Sequence, residues 1–380
     1  MVIKLAIIGI GQVGKKYAKW IKDCNFNNIK LSAVCCRSEK SKQWVSDNLG
    51  KDIKIFFSTK SMFEDKEVCD AVIIATPHKE HPKMIMEAFK YKKHILCEKP
   101  SGVSIGDVKR VNTALKNSKL TFSMMFQNRT LPVYKRLKEI LDLKEIGTIK
   151  RIYLENSRYF RTHFYHNSSS WRSSWNEEGG GALINQGQHI LDIWQWLFGM
   201  PYSIYASIPF GKYNNFLVDD EVTMIMDYPD DIKAVFVFTT GETPGREKIE
   251  IIGTKGKVIQ EDNKLFVWKH NISTDKYRKT SNEITANGIK TSYEEFIFDK
   301  KNNPHFDIIQ NFADNIQNKE PLIVNGKDGI NALMLANAAY LSAWKKEKVK
   351  IPIDNEEFEL WFDKKRREEY KLKDIINDSF

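Results

Sequence analysis

No apolar run in this 380-residue chain approaches the roughly 20 residues needed to cross a bilayer, so no membrane-spanning helix is expected. The N-terminal stretch offers no signal-peptide pattern, because the apolar segment 2–8 is short and leads straight into a glycine loop. A cytoplasmic location is the resulting expectation. Cysteine is scarce. The five residues, Cys24, Cys35, Cys36, Cys69 and Cys97, all lie within the first domain-sized stretch of the chain, and no pair has the CxxC spacing of a zinc site. The thiols therefore read as reduced and mostly buried, with no metal expected. No dense basic element is present either. The formal charge of +10 is spread along the chain, and the densest run, Asp363-Lys-Lys-Arg-Arg-Glu-Glu369, is mixed in sign. A nucleic-acid partner would need charge and exposed aromatics on one element, so that run reads as a solvated helix face. The positive balance also suits a phosphate-bearing cofactor. Internal repeats and low-complexity linkers are missing too.

What is present is material for a large core. Hydrophobic residues make up 42% and aromatics 12% of a chain longer than one ordinary domain, so two packed domains are expected. Up to about residue 125 the sequence alternates short apolar runs with amphipathic stretches. Strands are expected at 4–9, 30–36, 53–57, 71–75, 94–97 and 120–126, and helices at 13–22, 40–48, 81–91 and 105–116. That rhythm predicts an α/β fold with a doubly wound parallel sheet. After Gly147 the pattern becomes period-2, with strands expected at 149–159, 202–209, 221–228, 233–239, 248–252 and 265–268. Gly253-Thr-Lys-Gly256 has the look of a hairpin connection. Helices return at 305–318 and 329–345. The expectation is a nucleotide-binding domain over 1–125 and an α+β domain over 126–380, the latter with a large, mostly antiparallel open sheet.

Gly9-Ile-Gly11-Gln12-Val13-Gly14 follows the first strand and opens the first helix, the context in which GxGxxG has physical meaning. The first glycine permits the turn, the second lets a pyrophosphate approach the backbone, and the third lets helix and strand pack closely. The helix start adds free N–H groups and a positive dipole end. At the end of the second strand a carboxylate would bond the ribose 2′-hydroxyl of NAD, whereas an Arg accommodates the 2′-phosphate of NADP. The chain has Cys36-Arg37-Ser38 there, with no carboxylate before Glu39. Arg37 and Ser38 therefore favour NADP over NAD.

Further motifs accompany the loop: Ala75-Thr76-Pro77 with His81, Glu98-Lys99-Pro100, and Gly179-Gly-Gly-Ala-Leu-Ile-Asn-Gln-Gly-Gln-His189. Together, and continuing through Pro321 to Gly326 and the helix after Ala336, they resemble the glucose–fructose oxidoreductase, inositol dehydrogenase and MocA-like family. The resemblance implies hydride transfer between a nicotinamide ring and a hydroxyl-bearing carbon of a sugar or cyclitol. It adds Thr76, Pro77, His81, Glu98, Lys99, Gln127 and Asn128 to the cofactor-binding set. It also implies that Lys99 contacts the reacting hydroxyl. The step needs a proton acceptor, and His189 is the candidate. Asn185, His189 and Asp192 are spaced i, i+4 and i+7, which on a helix puts them on one face. The family often carries Asp at the position of Asn185; Asn can orient a hydroxyl but cannot take its proton.

On the substrate side, Tyr159, Arg161 and His163 precede Trp171-Arg172-Ser-Ser-Trp175, a set of aromatics and donors suited to a polyol. Arg129 is expected to line the cleft with Asn128, and His305 is a weaker candidate. The resemblance further implies a homodimer or homotetramer formed through the open sheet face. Two other readings fit the same fold: an NAD-dependent glycosidase, and a non-catalytic sensor of nucleotide or sugar.

Overall fold

The computed structural model describes residues 2–24, 26–300, 303–318 and 320–377. The chain separates into two compact units, one over residues up to 127 together with 303–333, the other over 128–300 and 334–377.

In the first unit β1 (Ile3–Ile8), β2 (Ile29–Cys35), β3 (Lys54–Phe56), β4 (Ala71–Ile74), β5 (His94–Cys97) and β6 (Phe122–Met124) form one sheet in the order β3-β2-β1-β4-β5-β6. Every pairing is parallel. β4 is buried along its whole length, as a strand covered on both faces must be. The helix Gln12–Asp23 buries Gly14, Tyr17, Ala18 and Ile21, a stripe at i, i+3, i+4 and i+7. Strand order reverses between β1 and β4, so the crevice at their C-terminal ends is the ligand position of a doubly wound sheet.

The sequence groups 303–333 with the later domain, yet this segment packs with the parallel sheet. The helix Pro304–Asn318 buries Ile308, Ile309 and Phe312. Asn315 Oδ1 accepts from Thr121 Oγ1 at 2.7 Å, and Val324 O accepts from Ser123 Oγ at 2.8 Å. These partners lie some 200 residues away in sequence, and no local pattern announces them.

The second unit is built on β7 (Ile149–Asn156), β8 (Ser203–Ser207), β9 (Glu221–Asp227), β10 (Lys233–Thr239), β11 (Glu247–Gly253), β12 (Gly256–Glu261), β13 (Lys264–His270), β14 (Thr291–Ile297) and β15 (Val349–Lys350). Their order is β14-β13-β12-β11-β7-β10-β9-β8-β15. Only β7 and β10 pair in parallel. Alternate residues such as Ala234, Phe236 and Phe238 are buried on one face. The helices Gly187–Phe198 and Gly329–Lys345 supply further core side chains, among them Trp194 and Tyr340. The mixed-sign run 363–369 lies on the helix Asn355–Asn377, where Phe358 and Phe362 are buried and Lys364 and Arg367 are exposed. Among the described residues no helix is long and apolar enough to cross a membrane. Four of the five cysteines are buried, and all five are free thiols.

Candidate active site

The glycine loop has the form its sequence demands. Gly9 has φ +99°, and a Cβ there would stand 2.6 Å from the Ala75 carbonyl oxygen at the end of β4. A Cβ on Gly14 would stand 1.9 Å from Gly9 O, so only glycine lets helix and loop meet. Gly11 is different: a Cβ would touch nothing within 4 Å. Gly11, Gln12 and Val13 are exposed, and the helix start carries no side-chain cap. An open cradle therefore faces free N–H groups. On the neighbouring strand end the Thr76 hydroxyl is buried without a hydrogen-bond partner, while Pro77 is exposed. A dinucleotide fits this set, supplying phosphate to the cradle and a partner for Thr76.

Arg37 is largely exposed and lies 3.8 Å from the Glu80 carboxylate. Ser38 caps the next helix, its Oγ accepting from Ser41 N at 3.2 Å.

The end of β5 is held from two sides. His81, fully buried, lies with Nδ1 2.6 Å from Pro100 O and Nε2 2.8 Å from Thr76 O, tying the β4 and β5 ends together. Burial holds the His81 pKa below the ordinary value, against the pull of both carbonyls, with the charge of Lys99 adding to the depression. Glu98 accepts a very short hydrogen bond from Tyr17 on the nucleotide-loop helix, and its other oxygen accepts from Lys99 N at 3.1 Å. Burial raises the Glu98 carboxyl pKa, opposed by Lys99 and the Tyr17 hydroxyl. Tyr17 was not legible as a site residue, since its position on the buried helix stripe marks it only as core. His305 packs beside the Tyr17 and Trp20 rings at 6.0 and 5.5 Å, and burial with the nearby Lys16 and Lys99 charges lowers it to about 4.

In the second unit the expected helix starts after Asn185. The helix begins at Gly187, and Asn185 sits in the turn before it. Gly187 N donates to Ala182 O, five residues back, so the turn that carries Asn185 is wider than an α-turn. Buried Asp219 braces the turn, accepting from Gly181 N, Leu183 N and Tyr340 Oη at 2.8, 2.6 and 2.6 Å. Asp192 points to a different partner from the one its spacing suggests. It is fully buried in a two-point ion pair with Arg129, Nε at 2.8 Å and Nη2 at 2.6 Å. Arg129, expected to line the cleft, is itself only 4% exposed. His189 remains half-buried on the first turn of the helix.

Asn185 is not far from a carboxylate. Its Nδ2 donates to Glu178 Oε1 at 2.6 Å, while Ser173 N donates to Glu178 Oε2 at 2.6 Å. Glu178 is 3% exposed and was missed from the sequence, although an acid directly before a glycine run at the candidate site is a usable signal. Around the same turn lie the aromatic segments. Tyr165 Oη accepts from Gln186 Nε2 at 2.7 Å, Arg172 Nη1 at 2.5 Å and, weakly, Asn185 Nδ2 at 3.4 Å. Arg161 lies over the Tyr159 and Tyr165 rings at 5.7 and 4.6 Å, and Arg172 over Tyr165 and Trp171 at 4.3 and 4.6 Å. His163 is exposed. Trp175 belongs to the core: it packs edge-on against Phe210, Tyr340, Trp344 and Phe362. Gln127 and Asn128 share the short 3-10 helix Gln127–Thr130, Gln127 buried and Asn128 half-buried. Among the described residues no cluster of three His, Cys, Asp or Glu side chains could hold a metal ion.

Known proteins share this fold. Residues 3–126 match the model for the oxidoreductase family with an NAD-binding Rossmann fold, and residues 134–259 match the GFO/IDH/MocA C-terminal domain. The myo-inositol 2-dehydrogenase of Thermotoga maritima is 24% identical over 370 residues, covering 92% of this chain and 98% of its own. Among solved structures, the WlbA dehydrogenase from Bordetella pertussis in complex with NADH and UDP-GlcNAcA aligns with a TM-score of 0.75 at 20% identity, over 93% of this chain and 100% of its own. Levoglucosan dehydrogenase in complex with NADH and levoglucosan aligns with a TM-score of 0.76 at 18% identity, over 93% and 100%. With the nucleotide-binding and C-terminal family models both matched in order, the chain belongs to the Gfo/Idh/MocA family of oxidoreductases.

Proposed function

We infer that the protein is an NAD(P)-dependent dehydrogenase of a sugar, sugar derivative or cyclitol. The observation that carries this reading is the double brace on the β5 end: His81 joins the Thr76 and Pro100 carbonyls, and Glu98 joins Lys99 to the nucleotide-loop helix through Tyr17. Such a brace fixes the backbone at Lys99 at the edge of a dinucleotide crevice, and in this reading the lysine ammonium serves the reacting hydroxyl.

The bound nicotinamide supplies the hydride acceptor, or in reverse the donor. In the oxidising direction the substrate carbon gives up hydride, its hydroxyl gives up a proton, and a carbonyl forms. Lys99 stabilises negative charge growing on that oxygen. His189 takes the proton, and Asn185 orients the hydroxyl. Gly9, Gly11, Gln12, Val13 and Gly14 cradle the pyrophosphate, with Thr76, Pro77, Gln127 and Asn128 completing the cofactor contacts. His189→Ala should lower turnover by roughly 10²–10⁴ and leave cofactor affinity nearly intact. Wild-type turnover in that variant removes His189 from the mechanism. Screening sugars, inositols and uronates for NAD(P)H formation tests the reaction class.

NADP is the favoured cofactor. The support is Arg37 with no carboxylate at the end of β2; the cited neighbours hold NADH, so the preference rests on Arg37 alone. Tighter binding of NAD than of NADP in a direct titration refutes it. The five free thiols suit a reducing cytoplasm.

A homo-oligomer forms, in this reading, through the open face of the second unit's sheet. Tyr205, Ile225, Val235 and Tyr153 are cross-strand neighbours there, with Tyr205 and Ile225 42% and 45% exposed. Light scattering should report a dimer or tetramer that Ile225→Lys dissociates. A monomeric wild type overturns the assignment.

A further inference from the structure

Among the described residues two guanidinium groups in the second unit, Arg161 and Arg172, form no ion pair. Arg161 and Arg172 both lie over the Tyr165 ring, so they can be no farther apart than the sum of their two short distances to its centre. Neither has a carboxylate partner among the described residues. Among the described residues the Arg161 side chain donates only to its neighbour's carbonyl, Phe160 O, at 3.2 Å, and that of Arg172 only to Tyr165 Oη. The Nε of each is buried with no hydrogen-bond partner, as is Nε2 of His166 beside them. The nearest acid in the hydrogen-bond network, Glu178, is already bonded to Asn185 and Ser173 N.

A buried donor on a cation with nothing to bond is costly, and proteins relieve that cost with an anion. Arginine is suited to it, because the planar fork matches the oxygen spacing of carboxylate and phosphate. Three side-chain donors also converge on Tyr165 Oη, so the adjacent turn adds polarity of the same sense. The cluster reaches Asn185 and Gln186 directly, which puts it at the turn that leads into the His189 helix.

We propose that Arg161 and Arg172, flanking Tyr165, form an oxyanion site that binds a carboxylate or phosphate carried by the substrate, making the preferred substrate an acidic sugar rather than a neutral polyol. The proposal rests on the dehydrogenase reading for the identity of the ligand as a sugar. The pair of arginines fixes the acidic group, and the carbon to be oxidised then lies on the remaining part of the ring or chain.

The test is calorimetric titration of the full-length protein, saturated with NADPH, with glucose, glucuronate and glucose 6-phosphate. At least one anionic sugar should bind about tenfold or more tighter than glucose, the loss expected for removing a charged hydrogen bond. Arg161→Met and Arg172→Met should each reduce that advantage, and the double variant should abolish it while NADPH binding is retained. Glucuronate and glucose 6-phosphate separate a carboxylate preference from a phosphate preference. The melting temperature of the free double variant should be at or above wild type, since an unpaired pair of cations has been removed; this excludes misfolding as the cause of lost binding. The proposal is overturned if no anionic sugar binds tighter than glucose, or if the advantage survives in the double variant. Oxidation of neutral polyols by the wild type with no advantage for either anionic sugar would overturn it and leave the hydride-transfer reading standing. Arginine-dependent glucuronate binding without any NAD(P)H formation would do the reverse.

Discussion

Arg129 and Asp192 form a two-point ion pair with both side chains out of solvent, and Asp192 lies on the helix that carries His189. Gln195 Nε2 adds a third donor to Asp192 at 3.0 Å, and the Arg129 guanidinium lies 5.8 Å from the Trp196 ring centre. Removing one partner leaves the other charge buried without compensation. Asp192→Asn should therefore destabilise the protein by about 3–5 kcal/mol in urea unfolding. The double variant Arg129→Met, Asp192→Leu should recover most of that loss. Equal destabilisation in the single and double variants would mean that shape, not charge, holds the helix.

Two glycines of the nucleotide loop should behave differently when given a methyl group. Gly14→Ala drives Cβ into Gly9 O, so both the melting temperature and NADPH affinity should fall. Gly11→Ala meets no protein atom, so the melting temperature should stay near wild type while NADPH affinity falls. Thermal melts and fluorescence titration on the same samples separate the two. Undiminished affinity in Gly11→Ala would put the pyrophosphate elsewhere.

The parts legible from sequence were those written in local pattern. β10 and the helix Gly329–Lys345 fall on the expected bounds, because period-2 alternation and helix-wide apolarity are properties of adjacent residues. The glycine loop was legible because its glycines answer to contacts within a few residues and one neighbouring strand. The weakly periodic β14 and the short helix Thr274–Thr280 were not expected, since both are mostly exposed and bury little of an apolar face. The site was legible in its residue types more than in its pairings. Helical spacing associates Asp192 with His189, yet Asp192 binds Arg129 across 63 residues, and Glu98 finds Tyr17 across 81. Such partners are set by tertiary packing, to which spacing is blind.

Glu178 is the carboxylate that an Asp at position 185 would meet. Asn185 donates to Glu178 at 2.6 Å; an Asp there would set two carboxylates at that distance, which can coexist only by sharing a proton. Asn185→Asp should be less stable than wild type at pH 8. The shortfall should shrink toward pH 5, because the fold then binds a proton that the unfolded chain releases. Adding Glu178→Gln should restore stability at pH 8. A pH-independent deficit in the single variant would show that the pair is not electrostatically coupled.

His166 predicts an acid-side loss of stability. Burial, reinforced by the charges of Arg172, His163 and Arg161 and opposed by Asp220, lowers its pKa from 6.5 to about 4. The folded protein thus keeps the ring neutral where the unfolded chain protonates it. Between pH 6.5 and about 4 the unfolded state binds more protons, so stability falls as pH falls through that window and the contribution is fully present only above it. His305, lowered to about 4 by burial and by Lys16 and Lys99, adds a slope of the same sign. Urea midpoints measured from pH 7 to 4.5 should decline less steeply in His166→Asn than in wild type, and less steeply again when His305→Asn is added. Three parallel curves would assign the acid sensitivity to other groups. If Arg161 and Arg172 hold an anion, saturating glucuronate or glucose 6-phosphate should also flatten the His166-dependent part, because the added negative charge brings its folded pKa back toward 6.5.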